Sequence, residues 1–187
     1  VPPTIPRFYK ELREVLNRDA IVVTSSGHAQ ACVLEFPFYE PRTNLTSGGF
    51  STMGWAYPAA LGAKLAAPDK QVVAVIGDGD FMMTMQEMAT AMEYRINVVA
   101  VLLNNYGWYS IRDLQMAEFG EDRAIGTDWD AEKSPDFVKI AEGFGLKAES
   151  VGQPGDIQAA VDRALAYDGP SLVEVKVARD FPNSGST

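Results

Sequence analysis

Two unbroken apolar runs of the same kind dominate the middle of the chain. Val72, Val73, Ala74, Val75 and Ile76 form the first; Val98, Val99, Ala100, Val101, Leu102 and Leu103 form the second. Neither alternates with polar residues, so each reads as a strand buried on both faces, as in a parallel sheet covered by helices. The stretch between them has helical periodicity over residues 83–94, which makes a βαβ unit. The same logic extends outward. Phe8, Leu12, Val15 and Leu16 share one face of a helix over residues 6–18. Residues 20–24 read as a short strand, 28–36 as a helix and 41–46 as extended chain.

Residues 54–67 form a helix rich in alanine and glycine, a composition that lets a neighbour pack closely. Pro68 and Asp69 stop it. Residues 106–129 show no clear period and read as irregular, with a solvated charged loop at 118–123. Ser134 and Pro135 look like an N-cap and a first-turn proline opening a helix to about residue 143. A strand at 147–151, a helix at 155–166 and a strand at 171–177 follow. Strands and helices alternate throughout, so the expected fold is α/β, a parallel sheet of about six strands flanked by helices on both faces. Residues 1–180 are assigned to one domain and 181–187 to a linker or C-terminal tail. The chain starts at Val1 without an initiator methionine and reads as a piece of something longer.

Each central strand ends in polar residues. Gly77-Asp78-Gly79 follows the first, and Asn104-Asn105 follows the second after 24 intervening residues. Alone, the first triplet is a tight turn and the asparagine pair a cap. At adjacent strand ends they combine where open α/β sheets bind ligands. A carboxylate, a carboxamide oxygen and bare glycine backbone suit Mg²⁺ and phosphate. Asp78 and Asn105 are the expected side-chain ligands, with the Gly107 carbonyl as a third. Gly77 and Gly79 are expected to allow close approach and to tolerate positive φ. The helix beginning after Gly79 is expected to aim free amides at the phosphates.

Composition narrows the partners. With 16 basic against 25 acidic residues and a net charge of −9, the chain has no basic surplus for nucleic acid. No apolar run is long enough to span a membrane. The single cysteine, Cys32, allows no internal disulfide and fits a cytoplasmic location; it reads as a small core residue. Met82, Met83, Met85, Met88 and Met92 read as core filler, and Glu87 as structural. The one histidine, His28, lies in the loop after the first strand, where cofactor contact is a stronger reading than proton transfer. Trp108 and Tyr109 are left between stacking on substrate and packing under a partner.

The pairing of Gly77-Asp78-Gly79 with Asn104-Asn105 resembles the diphosphate-binding motif of thiamine diphosphate (ThDP) enzymes. Residues 25–30, 41–42, 45–49, 53–63 and 86–90 further resemble the C-terminal domain of acetolactate synthase-like enzymes. The resemblance runs from about residue 6 to 177. It implies ThDP and Mg²⁺ as cofactors, with Asp78, Asn105 and the Gly107 carbonyl on the metal. The amides of Gly79 and Asp80 would touch the diphosphate. Gly27, His28 and Ala29 would approach it from the first strand's loop, and Tyr109 and Ser110 from the loop after Asn105. Met53 would prop the cofactor in the bent form that sets its imino group against its own C2–H. The Ser51 backbone would touch the aminopyrimidine, and Ile111 would face a 2-oxo acid.

Departures from the family pattern carry expectations too. Serine is common where Asp80 stands, and a carboxylate there would repel diphosphate unless it turned outward to cap the helix. Ser51 replaces a common glycine, and the loop from Tyr106 to Tyr109 is unusually aromatic. Nothing in the chain resembles the pyrimidine-binding domain that supplies the family's catalytic glutamate. The implied unit is therefore a half-site, completed by that domain or subunit in a homodimer or hetero-oligomer and inactive alone. The alternatives are a non-catalytic ThDP-binding or assembly module and the β-like subunit of a split decarboxylase of glyoxylate or sulfopyruvate type. A Mg²⁺–nucleotide fold is disfavoured because no G-x-x-x-x-G-K-[ST] loop occurs.

Overall fold

The computed structural model describes residues 1–179; the 181–187 tail lies outside them. Six strands form one parallel sheet: β1 (Ile21–Thr24), β2 (Asn44–Thr46), β3 (Val72–Gly77), β4 (Val99–Asn104), β5 (Lys147–Val151) and β6 (Ser171–Lys176), in the order β2-β1-β3-β4-β6-β5. The helices are α1 (Ile5–Val15), α2 (Gly27–Val33), α3 (Ala56–Ala66), α4 (Asp78–Phe81), α5 (Met88–Glu93), α6 (Tyr109–Phe119), α7 (Phe137–Gly143) and α8 (Asp156–Leu165). No helix among the described residues is long and apolar enough to cross a membrane.

The apolar runs face both ways, as the sequence predicts. Val73, Val75, Val99, Val101 and Leu103 point into a layer built by α1, α2 and α8. Their neighbours Val72, Ala74, Ile76, Ala100 and Leu102 point into the opposite layer, under α3, α4, α5 and α7. Cys32 is a core residue, its thiol pushed up to about 12 by burial. Moves toward one sheet edge, β1 to β2 and β5 to β6, run over the first layer. Moves the other way run over the second. A single hand of crossover requires this division.

That division places a switch point between β1 and β3. The chain leaves β1 into α2 on one face and leaves β3 into α4 on the other, so a crevice opens beyond their carboxyl ends. The register keeps β3 and β4 level, with Gly77 opposite Leu103. Asp78 and Asn105 therefore leave the sheet side by side.

Four expectations need correction. The single helix over 83–94 is broken into α4, a 3-10 turn at Met85–Glu87 and α5. Thr84 lies outside the helical region at φ −139°, and its hydroxyl donates to the Gly54 carbonyl at 2.8 Å instead of supporting its own helix. Residues 109–119, expected to be irregular, form α6. Only Tyr109 of that helix is buried; Ile111, Leu114 and Phe119 stay exposed, so no inward stripe marks it. Asp136, rather than Ser134, caps α7 by accepting from the Lys139 amide at 3.1 Å. Among the methionines, Met88 is buried and Met83 is exposed.

Phe81 closes α4 and is fully buried between Tyr57 and Phe137, at ring-centroid distances of 5.6 and 6.2 Å. The substitution Phe81→Ala is expected to lower unfolding free energy by about 3–5 kcal/mol. Urea denaturation checks this.

Candidate functional site

The crevice is lined from four segments. Ser26, Gly27, His28 and Ala29 come from the β1–α2 turn and Met53 from the glycine loop. Gly77, Asp78, Gly79 and Asp80 come from the β3–α4 turn. Asn105, Gly107, Trp108, Tyr109, Ser110 and Ile111 follow β4, and Ile5 and Leu103 reach in from α1 and the sheet. The expected site residues therefore stand together, with one exception. Ser51 lies in the adjoining groove between α2 and α6.

Asp78 is 2% exposed, at the first position of α4. Its carboxylate accepts from the Gly79 amide at 2.8 Å and from the Gly107 amide at 3.1 Å. Burial pushes this carboxyl up to about 6, and the surrounding amides pull in the opposite direction. Among the described residues no lysine or arginine forms an ion pair with it. Asn105, also buried, stands beside it in the same crevice. Among the described residues no three His, Cys, Asp or Glu cluster as metal ligands. Any cation held here takes a mixed oxygen set.

Gly79 is required by room, not by φ. A Cβ on it would lie 2.2 Å from the indole Nε1 of Trp108, which covers it edge-on to Trp129. Neither Gly77 nor Gly79 adopts positive φ, so the tolerance expected of them is not used. The helix begins inside the triplet, at Asp78 and not after Gly79, and has only four residues. Its dipole is small, and charge compensation has to come from elsewhere.

Asp80 does not take the outward turn that would carry its charge away from a diphosphate. Its side chain points inward, 5% exposed, and accepts from the Ser25 hydroxyl and the Gly54 amide. Burial raises its pKa, and the hydrogen bonds from Ser25 and Gly54 act against that rise.

The first asparagine has a part that the sequence reading missed. Asn104 donates to the buried Glu174 carboxylate at 2.6 Å and accepts from the Tyr106 amide at 3.0 Å. Glu174 also accepts from the Ser150 hydroxyl. Tyr106 sits at φ +62°. The loop carrying Gly107 is thus bent and tied to β5 and β6, an anchor 70 residues away that no local motif reveals.

His28 Nε2 lies 3.0 Å from Asp113 Oδ2 of α6. Burial lowers the imidazole's affinity for a proton, and Asp113 acts against that. Tyr109 gives its hydroxyl to Asp128, and its pKa is pushed up to about 12 by burial and by that carboxylate. Glu87 accepts from Thr90 at 2.8 Å, outside the crevice.

A protein-family model described as "Thiamine pyrophosphate enzyme, C-terminal TPP binding domain" matches residues 25–175. The chain belongs to this family. It is 36% identical over 178 residues to a probable acetolactate synthase large subunit of Methanocaldococcus jannaschii, covering 91% of this chain and 30% of that protein. To the acetolactate synthase large subunit of Lactococcus lactis it is 37% identical over 171 residues, covering 91% and 29%. Among solved structures, a thiamine diphosphate-dependent 4-hydroxybenzoylformate decarboxylase of Rhodococcus jostii RHA1 superposes with a TM-score of 0.87 at 29% identity, covering 96% of this chain and 33% of that one. The domain is acetolactate synthase-like, and it spans less than a third of the length of the curated relatives named here.

For this TPP-binding domain, the raised Asp78 pKa has a sign that can be worked out. The unfolded carboxyl ionises near 3.8 and the folded one near about 6. Between those values the native state holds the extra proton, so stability falls as pH rises and the loss is complete above about pH 6. With a chelator present, the wild type is expected to lose roughly 1–3 kcal/mol across that window relative to Asp78→Asn. Denaturation at a series of pH values measures the difference.

Proposed function

We propose that this domain binds thiamine diphosphate with Mg²⁺ as half of an active site for 2-oxo acid decarboxylation or carboligation. The observation that carries the metal is Asp78, a buried carboxylate with no lysine or arginine paired to it among the described residues, beside a carboxamide at the adjoining strand end. A divalent cation meets that charge, and the oxygen donors are hard enough to suit Mg²⁺. In this reading Asp78, Asn105 and the Gly107 carbonyl hold the metal. The amides of Gly79 and Asp80 bind the diphosphate, and Gly27, His28, Ala29, Tyr109 and Ser110 enclose it. The inward side chain of Asp80 supports this arrangement, because it keeps the negative charge engaged elsewhere.

When bound, the cofactor supplies the electron sink that 2-oxo acid decarboxylation requires. The chain's own residues position and enclose it. Met53 props it from below, the Ser51 backbone meets its pyrimidine end, and Ile111 at the rim faces the 2-oxo acid. The named relatives support the substrate class: two are acetolactate synthases, and the third decarboxylates 4-hydroxybenzoylformate. The second half of the site comes from a pyrimidine-binding domain or subunit in an oligomer, and it brings the glutamate that this crevice lacks.

Calorimetry of this chain with ThDP tests the proposal. Binding is expected with Mg²⁺, lost with EDTA, and weakened at least about tenfold in Asp78→Ala. Affinity that ignores both EDTA and the substitution would overturn the metal assignment. The chain alone is expected to release no CO₂ from pyruvate until a pyrimidine-binding domain is added.

A further inference from the structure

The cofactor assignment leaves one buried charge without a task. Asp80 is 5% exposed, and its two oxygens are each engaged by a different segment. One meets the Ser25 hydroxyl at the end of β1. The other meets the Gly54 amide, next to Met53. Across the same residue, the Thr84 hydroxyl donates to the Gly54 carbonyl at 2.8 Å. Gly54 is thus gripped at its amide and its carbonyl by side chains from the turn after β3. Its φ of +80° and the Thr84 methyl, 3.0 Å from where a Cβ would stand, admit only glycine there.

The rest of the loop hangs from the same anchor. The Ser25 carbonyl accepts from the hydroxyl of Ser47 at 2.9 Å and from that of Ser51 at 3.4 Å. The Thr52 amide donates to the Ser47 hydroxyl at 2.9 Å. Outside these ties the loop is open to solvent, with Phe50 94% exposed. Little apolar packing holds residues 47–54, so hydrogen bonds set their position.

We propose that Asp80 is a positioning residue that clamps residues 47–54 and thereby fixes Met53 at the crevice and Ser51 in the groove beside it. The proposal rests on the reading of the crevice as a ThDP site and assigns that site's pyrimidine end to one carboxylate. Serine is shorter and has one oxygen, where Asp80 uses two separate oxygens to hold Ser25 and Gly54. Asparagine spans the same distance, accepting from the Gly54 amide with its oxygen and donating to the Ser25 hydroxyl with its nitrogen. Asp78 takes its hydrogen bonds from Gly79 and Gly107 and not from this loop.

The test compares Asp80→Ser, Asp80→Asn and Thr84→Val in this chain, with two ligands and one cofactor-independent measurement. Mg²⁺ with inorganic pyrophosphate probes only the diphosphate end, and Mg²⁺ with ThDP probes both ends. Thr84→Val is expected to weaken ThDP about tenfold while pyrophosphate affinity stays within about twofold. Asp80→Ser is expected to weaken ThDP by at least as much and more than it weakens pyrophosphate, and Asp80→Asn to recover ThDP affinity. Chymotryptic nicking at Phe50 is expected to speed up in Asp80→Ser and Thr84→Val but not in Asp80→Asn. The clamp is overturned if Asp80→Ser binds ThDP like the wild type, if both ligands weaken equally, or if nicking is unchanged. Failure of the site reading looks different: the wild type then binds neither ligand, while the nicking rates still report on the clamp.

Discussion

Three carboxylates, Asp78, Asp80 and Glu174, are buried at the carboxyl edge of one sheet, and none forms an ion pair with a lysine or arginine among the described residues. A buried charge of this kind must be surrounded by donors or it will not stay charged. Each is met by a different set. Asp78 collects amides from its own turn and from the loop after β4. Asp80 takes Ser25 and Gly54, and Glu174 takes Asn104 and Ser150. The demand for donors ties the loops to one another, and the crevice follows from those ties. Asp78 differs from the other two because it also lines the open crevice beside Asn105. Its charge faces the position where a cation would sit.

The strands were readable because their chemistry is local. An unbroken run of valine and alanine bounded by glycine or asparagine has few meanings, and β3, β4 and β6 fall within a residue or two of their expected bounds. That the strand-end residues share one crevice was readable for the same reason, since residues at strand ends in a parallel sheet converge whatever lies between them. What escaped depends on tertiary partners. Helix α6 turns its isoleucine, leucine and phenylalanine toward solvent, so the pattern that betrays a helix by what it buries is absent. The break at Thr84 is decided by a carbonyl 30 residues earlier. The inward turn of Asp80 is decided by a serine 55 residues earlier.

The aromatic loop after Asn105 shows how a departure from family pattern is absorbed. Trp108 fills the space above Gly79 and meets Trp129 at a right angle, while the Trp108 amide donates to Thr127 at 2.9 Å and Tyr109 reaches Asp128. The bulk is accommodated by a short antiparallel contact with residues 127–129, which lie well past the motif. The region read as featureless is therefore the outer wall of the site.

The level pairing of β3 with β4 carries a lesson about descent. Because Gly77 stands opposite Leu103, the separation of Asp78 from Asn105 is set by backbone pairing across the sheet and not by the chain that joins them. Insertions and deletions between residues 85 and 97 can accumulate over generations without moving either residue. A single residue gained or lost inside β4 would rotate every side chain beyond it to the opposite layer. Lineages of this domain are thus free to drift in the length of their connecting helices and are held to one count in their central strands.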